Sequence, residues 1–303
     1  MQKRFHTRQV TFRQLEVFKK VAEESSITVA AKNLHLAQPT VSTQINNLSE
    51  SLGVTLFEKI GKQLYLTQMG GEILRTTRTV FDAIDGLEMT LAQIEGLSYG
   101  QLRISVVTTA KYLIPRYLGE FCEKHPGISP ELHVGNRAEI IQRLKQNLDD
   151  VYVFSNPPNE IDIHSDLITE NPLVIVGQPQ HKSTPRKKLP WSSLDKQRFL
   201  MREKGSGTRF AVERHLEKLG LKMHRYITIA SNEAIKESVM AGLGIGILSR
   251  HALAHMASGN LVELNIEGFP ISNSWYWVVP KGKQLSPSVT AFKSFVADRI
   301  NSA

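Results

Sequence analysis

The sequence predicts an α/β protein with an all-α head. Three observations carry this. Apolar residues recur at helical spacing through the first fifty residues. One apolar seam then runs unbroken along about thirty more. From residue 101 onward, short strand-like runs alternate with helix-like ones. A chain of 303 residues has room for two or three domains. The expected divisions are a head at 1–66, a linker helix at 67–98 and a body at 99–303.

The elements follow in order. Residues 11–24 carry Phe12, Leu15, Phe18, Val21 and Ala22 on one helical face. Ser25 and Ser26 break this helix and offer a cap for the next. Residues 28–34 make a short second helix whose Ala30 and Ala31 permit close packing. A third helix begins at Gln38, with Pro39 tolerated in its first turn. Val41, Ile45, Leu48 and Leu52 form its core face, and Gly53 ends it. Two short apolar runs, 56–60 and 63–66, flank Gly61-Lys62 and read as a hairpin. Thr67 caps a long helix along which Ile73, Thr77, Val80, Ile84, Leu87, Leu91 and Ile94 step by fours and threes. About 30 residues at 1.5 Å each span ~45 Å, and a seam of that length calls for a partner helix.

In the body, strands are expected at 102–107, 131–134, 151–154, 173–177, 198–202, 226–230, 245–248, 261–265 and 274–279. Helices are expected at 111–124, 137–148, 208–219, 233–241, 250–257 and 287–300, with a loop at 178–190. The strands should be mainly parallel. Two subdomains are expected, one from about 99–165 and 266–303 and the other from about 166–265. A ligand crevice should lie at the carboxyl ends of the strands.

Composition narrows the function classes. Hydrophobic residues make up 41% and charged residues 22%, which excludes disordered-tail and collagen-like classes. Cys122 is the single cysteine, so no internal disulfide or multi-cysteine metal site is possible. It lies among Tyr117, Leu118 and Phe121 and is expected in the core. No apolar run approaches the ~20 residues of a membrane span. No hydrophobic run follows the basic segment 1–10, so no signal peptide and a cytoplasmic location are expected. The net charge of +8 is uneven. Residues 1–66 carry nine Lys/Arg against five Asp/Glu, residues 67–100 two against five, and residues 101–303 26 against 19. A basic head suggests an anionic partner.

Helix, tight turn, helix and hairpin in a basic segment make a winged helix-turn-helix pattern. The polar side of the third helix carries Gln38, Pro39, Thr40, Ser42, Thr43 and Asn46. These side-chain types can read base edges: amides bond adenine, and a threonine methyl touches a thymine methyl. Glu50 at the far end repels phosphates, which favours entry by the N-terminal half. Lys59 and Lys62 on the hairpin can reach phosphates. Double-stranded DNA is the expected partner.

Here residues 11–70 resemble the DNA-binding domain of LysR-type transcriptional regulators. The matching motifs are Phe12-Arg-Gln-Leu-Glu-Val-Phe18, Ala30-Ala31, Gln38-Pro39-Thr40-Val41-Ser42, Leu52-Gly53, Leu56-Phe57-Glu58 and Leu66-Thr67 with Gly70. The resemblance continues through the long helix and the body. It implies promoter binding, a homodimer through helix 67–98, a homotetramer and contact with RNA polymerase. It also implies a small-molecule effector in a two-lobed body like that of periplasmic solute-binding proteins. Many members carry Arg or Lys where this chain has Thr43 and Asn46, and its third helix has no cation between Gln38 and Ser51. A modest salt dependence per head is therefore expected.

Three helix starts in the body point to an anion pocket: Thr108-Thr109, Gly205-Ser206-Gly207-Thr208-Arg209, and Ser231-Asn232-Glu233. Each places donors at a helix N-terminus, where the dipole favours an anion. Arg202 or Arg209 could add a bidentate clamp. Asn136 and Ser155 are further expected lining residues. The same Ser, Thr and Asn types are also ordinary helix caps. A narrower resemblance is to regulators of rubisco and carbon-fixation operons. It rests on the last two of those segments and on Ala241–Leu248, Glu267-Gly-Phe-Pro270, Val279–Lys283 and Ser286-Pro287. It implies a phosphorylated sugar, a related metabolite or a nucleotide as effector; a carboxylate or inorganic anion is the alternative.

No cofactor, metal or catalysis is expected. Gly242-Leu-Gly-Ile-Gly246 lacks G-x-G-x-x-G spacing and reads as a helix cap leading into a buried strand. The ten histidines form no H-E-x-x-H. Trp275 and Trp277 read as packing residues. A transporter's solute-binding protein and a small-anion enzyme are the competing readings; no nucleophile–base pair can be assigned for the latter.

Overall fold

The computed structural model describes residues 9–61, 63–94, 99–179, 188–253 and 261–302. The chain divides into two compact units, residues 1–87 and 88–303.

In the first unit, α1 (Phe12–Glu24), α2 (Ile27–Asn33) and α3 (Gln38–Leu52) precede a hairpin of β1 (Phe57–Ile60) and β2 (Gln63–Leu66). Thr11 and Gln14 form a reciprocal capping box on α1. Ser25 ends that helix in a left-handed conformation, and Ser26 caps α2. Val17, Phe18, Val21, Ala30, Ala31, Val41, Ile45 and Leu48 close one core. The long helix α4 (Gln68–Ile94) starts at Thr67, whose hydroxyl accepts from Gly70 N at 2.9 Å. At Gly70 a Cβ would sit 2.1 Å from the Leu56 carbonyl oxygen, so only glycine lets α4 pass the hairpin. Along the expected seam Thr77 is buried, and Ile73, Val80 and Ile84 are half-buried. Leu87 is 59% exposed. The side chains of Leu91 and Ile94 lie outside the described residues, as does Lys62.

The second unit holds two five-stranded sheets. The first has order β4-β3-β5-β12-β6, from β3 (Tyr99–Val107), β4 (Gly127–Gly135), β5 (Val151–Phe154), β6 (Ile163–Glu170) and β12 (Ser274–Pro280). It packs against α5 (Ile114–Lys124), α6 (Arg137–Lys145) and α9 (Pro287–Asn301). The second has order β11-β7-β10-β8-β9, from β7 (Leu173–Gly177), β8 (Phe199–Met201), β9 (Tyr226–Thr228), β10 (Ile245–Ser249) and β11 (Val262–Glu263). Its helices are α7 (Gly207–Lys218) and α8 (Asn232–Met240). Each sheet has its own buried core, so the body has two lobes.

Several expectations need correction. The sheets are mixed. β3 runs parallel to β4 and β5, and β8 to β9 and β10, whereas the pairings of β12 with β5 and β6, and of β7 with β10 and β11, are antiparallel. The crossing strands that link the lobes cause this, because the chain leaves one lobe and returns to it. Strand β6 was not expected: its largely exposed edge pattern hides the usual apolar signal. Its pairing with β12 places residues up to Glu170 in the first lobe, while Ile266, Phe269 and Ile271 pack in the second core. The expected boundary at 165 therefore falls inside β6, and the one at 266 assigns to the first lobe residues that pack in the second. The helix expected at 111–124 is a 3-10 turn at Ala110–Tyr112 followed by α5, because Pro115 suits only a first helical turn. Helix 250–257 is described only as a 3-10 turn, Arg250–Leu253; its remainder lies outside the described residues, as does most of the loop at 178–190.

Gly242 ends α8 with φ +79° and leads into the fully buried β10, as expected. Trp275 and Trp277 are buried in the first core, and Cys122 packs half-buried against it, its thiol pKa raised by burial. Among the described residues no helix is long and apolar enough to cross a membrane.

Candidate functional site

In the head, the core face of α3 is set by Val41, Ile45 and Leu48, which turns the opposite face outward. Gln38, Pro39, Thr40, Thr43 and Asn46 are exposed and Ser42 is half-buried. The cap residue Ala37 offers no side-chain oxygen, so the first N–H groups of α3 are not satisfied by a cap. Two expected readers already have local partners. Thr43 Oγ1 donates to Pro39 O at 2.9 Å, and Gln38 Oε1 accepts from Thr28 Oγ1 at 3.4 Å. Thr28, on α2, was not singled out from the sequence, yet it steadies Gln38. Lys59 is exposed on β1.

In the body, residues at the carboxyl ends of the strands meet between the lobes. Arg202 follows β8 and is 2% exposed. Its Nη1 donates to Asn232 Oδ1 at 2.6 Å and to Thr108 Oγ1 of the other lobe at 3.2 Å. Its Nε and Nη2 grip Glu203 at 2.8 and 3.0 Å. Glu203 thus offsets the charge of Arg202, a partner that sequence inspection missed. Asn232 Nδ2 and Ser206 Oγ are buried without a protein partner. Buried polar atoms of this kind are costly unless something else satisfies them.

The remaining expected residues have separate roles. Thr109 precedes the 3-10 turn, but its side chain makes no cap hydrogen bond. It is 3% exposed and accepts from Trp275 Nε1 at 3.1 Å, where β12 begins. Asn136 caps α6 by accepting from Glu139 N at 3.0 Å. Gly205, at φ +90°, adopts a left-handed backbone that strains any side chain, and a Cβ would lie 3.1 Å from Ala138 Cβ of α6. At Gly207 a Cβ would lie 3.2 Å from Ser155 Oγ. The two glycines therefore let the second lobe approach the first, where close approach to a ligand was expected. Ala138 N donates across the lobes to Gly205 O at 3.1 Å. Ser206 and Thr208 are buried at the start of α7.

Arg209 is engaged within its own lobe, where a ligand clamp was expected. Its Nε donates to Glu213 at 2.6 Å and its Nη1 to Arg202 O at 3.1 Å, so it braces the second lobe. Glu233 is a lobe-to-lobe tie, where an anion contact was expected. Its carboxylate accepts from Tyr112 OH at 2.6 Å and pairs with Lys111 Nζ at 3.0 Å. Burial alone would raise its pKa, but the hydrogen bonds from Tyr112 and Lys111 prevail and hold it down at about 2. Burial, then the same carboxylate, pushes the Tyr112 phenol up. Nothing local in the sequence announces Tyr112, since it lies 121 residues from Glu233.

Comparison with known proteins fits this arrangement. The family model for the bacterial regulatory helix-turn-helix protein, lysR family, matches residues 12–71, and that for the LysR substrate binding domain matches residues 95–301. The HTH-type transcriptional activator CmpR of Synechocystis is 43% identical over 94% of both chains. The RuBisCO operon transcriptional regulator of Acidithiobacillus ferrooxidans is 39% identical over 95% of this chain and 94% of its own. The solved CcmR regulatory domain of Synechocystis PCC6803, in complex with 2-PG, is 41% identical with a TM-score of 0.63, covering 66% of this chain and 96% of that one. These relatives are regulators, not enzymes. The chain belongs to the LysR family of transcriptional regulators.

Proposed function

We propose that this chain controls carbon-assimilation genes in response to a small phosphorylated anion of the 2-phosphoglycolate class. The observation that carries the reading is the cluster of Thr108, Arg202 and Asn232 between the lobes, with the orphan Asn232 amide beside it. Arg202 is neutralised by Glu203, so the net attraction for an anion comes from the N-terminal ends of α7 and α8 and from unpaired donors. The relative solved with 2-PG, 41% identical, supports a phosphorylated ligand. Thr108, Arg202, Ser206, Thr208 and Asn232 are the proposed contacts, with Asn136, Ser155 and Gly205 at the edge.

An anion that binds the two lobe arrangements unequally shifts their populations. The head then reads double-stranded promoter DNA through Gln38, Pro39, Thr40, Ser42, Thr43 and Asn46, with Lys59 and Lys62 on phosphates. The half-buried seam of α4 pairs with a second copy, and such dimers assemble into a tetramer in the cytoplasm that contacts RNA polymerase. The test is anisotropy of labelled promoter DNA from carbon-assimilation operons with the full chain, with and without 2-phosphoglycolate at fixed ionic strength. A change in affinity or footprint, abolished by Asn232→Ala, is the expected result. DNA binding indifferent to 2-phosphoglycolate and to other phosphorylated metabolites would overturn the effector reading.

A further inference from the structure

A cavity of about 560 Å³ opens beside the strands that cross between the lobes. Its walls come from both lobes. Arg137 of α6, Asn156 after β5, Ser165 of β6 and Tyr276 of β12 face Phe210 and Arg214 of α7. Ser155, at the edge of the Arg202 cluster, lines the cavity too. Gly207 packs closely at this border: a Cβ on it would be 3.2 Å from Ser155 Oγ and 3.7 Å from Arg137 Cβ.

The charges here differ from those of the first cluster. Arg137 is half-buried and makes no ion pair within 4 Å among the described residues. Its Nε donates to Asn156 O at 2.9 Å, and its guanidinium lies 4.7 Å from the centre of the Phe210 ring. Burial lowers its pKa, and Glu160 on the rim only partly counters this. Arg214 is exposed and also has no ion pair among the described residues. A partly desolvated arginine held rigid by an aromatic face and one carbonyl presents two further N–H edges, the geometry that suits a carboxylate or phosphate. The hydroxyl and amide groups of Ser165, Asn156 and Tyr276 can bond the rest of a polar ligand.

We propose that this cavity is a second anion site, taking a small polyanion clamped by Arg137 of one lobe and Arg214 of the other. Because its two cations come from different lobes, such a ligand favours one lobe spacing through cations other than Arg202.

The test is calorimetric titration of the full chain with inorganic pyrophosphate and, separately, with citrate, at constant ionic strength. It is run in an Asn232→Ala background, which disables the first cluster. Binding should persist there, fall about tenfold or more with Arg137→Gln, and fall several-fold with the exposed Arg214→Gln, which has no fold to disturb. Arg137→Lys should keep part of the affinity. A preference for pyrophosphate identifies phosphate esters as the ligand class, and a preference for citrate identifies carboxylates. If neither probe binds in the Asn232→Ala background, or if Arg137→Gln and Arg214→Gln bind as the parent does, the second site is overturned. Either result leaves the response to 2-phosphoglycolate and promoter DNA to be judged by its own assay.

Discussion

The head and the inter-lobe crevice are built from contacts of different range. The head is fastened locally: Thr11 to Gln14, Ser26 to Val29 and Thr67 to Gly70 are each three residues apart. The crevice is fastened by Arg202 to Thr108, 94 residues apart, and by Glu233 to Tyr112, 121 apart. Local fastening gives a preformed reading surface. Long-range polar ties between two separately cored lobes can break while both cores stay intact. This division matches the proposed function, with sensing in the crevice and recognition in the head.

The sharpest way to break this contrast is in the body. Arg202→Ala leaves Glu203 without its partner in a largely buried setting, a loss of about 3–5 kcal/mol. Urea unfolding should show it, the ligand response should vanish, and DNA affinity without ligand should still be measurable. If DNA binding disappears together with the ligand response, the two regions are not separable in this way. Next is Gly70→Ala. A Cβ 2.1 Å from Leu56 O forces α4 away from the hairpin, and overpacking of this kind costs about 1–3 kcal/mol or more. DNA binding should fall while ligand binding by the body is retained.

Base-reading substitutions come third. Asn46→Ala should remove about 1–3 kcal/mol of discrimination if Asn46 bonds a base edge bidentately. The readout is competition between the operator and single-base variants. Uniform weakening on all sequences would instead give Asn46 a phosphate role.

The smallest expected effect is that of the Glu233 tie. Its folded pKa, about 2, lies below the ordinary carboxylate value of 4.5. Its contribution is thus present above about pH 4.5 and is lost as pH falls toward 2. Glu233→Gln should lower the body's melting temperature slightly at pH 7, with the difference from the parent shrinking through that acid window. A difference that grows below pH 4.5 would contradict the tie.

The same difference in range explains what could be read from the sequence. Helix spacing, the Ser25-Ser26 break, the Thr67 cap and the exposed face of α3 are all encoded within a few residues, and they stand where expected. Asn232 was legible as a residue type at a helix start, and Arg202 as a cation that could add a clamp. Their neutralising and tying partners were not: Arg209 and Glu233 looked like anion contacts because their engagement with Glu213, Tyr112 and Lys111 exists only in three dimensions. Strand β6 escaped because an edge strand exposed along most of its length carries little apolar pattern.

The Thr109–Trp275 hydrogen bond has an optical consequence. The chain has three tryptophans. Trp277 sits beside Phe292 in the first core, and Trp191 is stacked on Phe199 and Phe269 in the second. Trp275 alone connects the strand end at Thr109 with His251, whose ring lies 4.6 Å away on the far side of the crossing. Its indole is a built-in fluorescent gauge of lobe movement in the unlabelled protein, beside two tryptophans whose ring contacts each stay within one lobe.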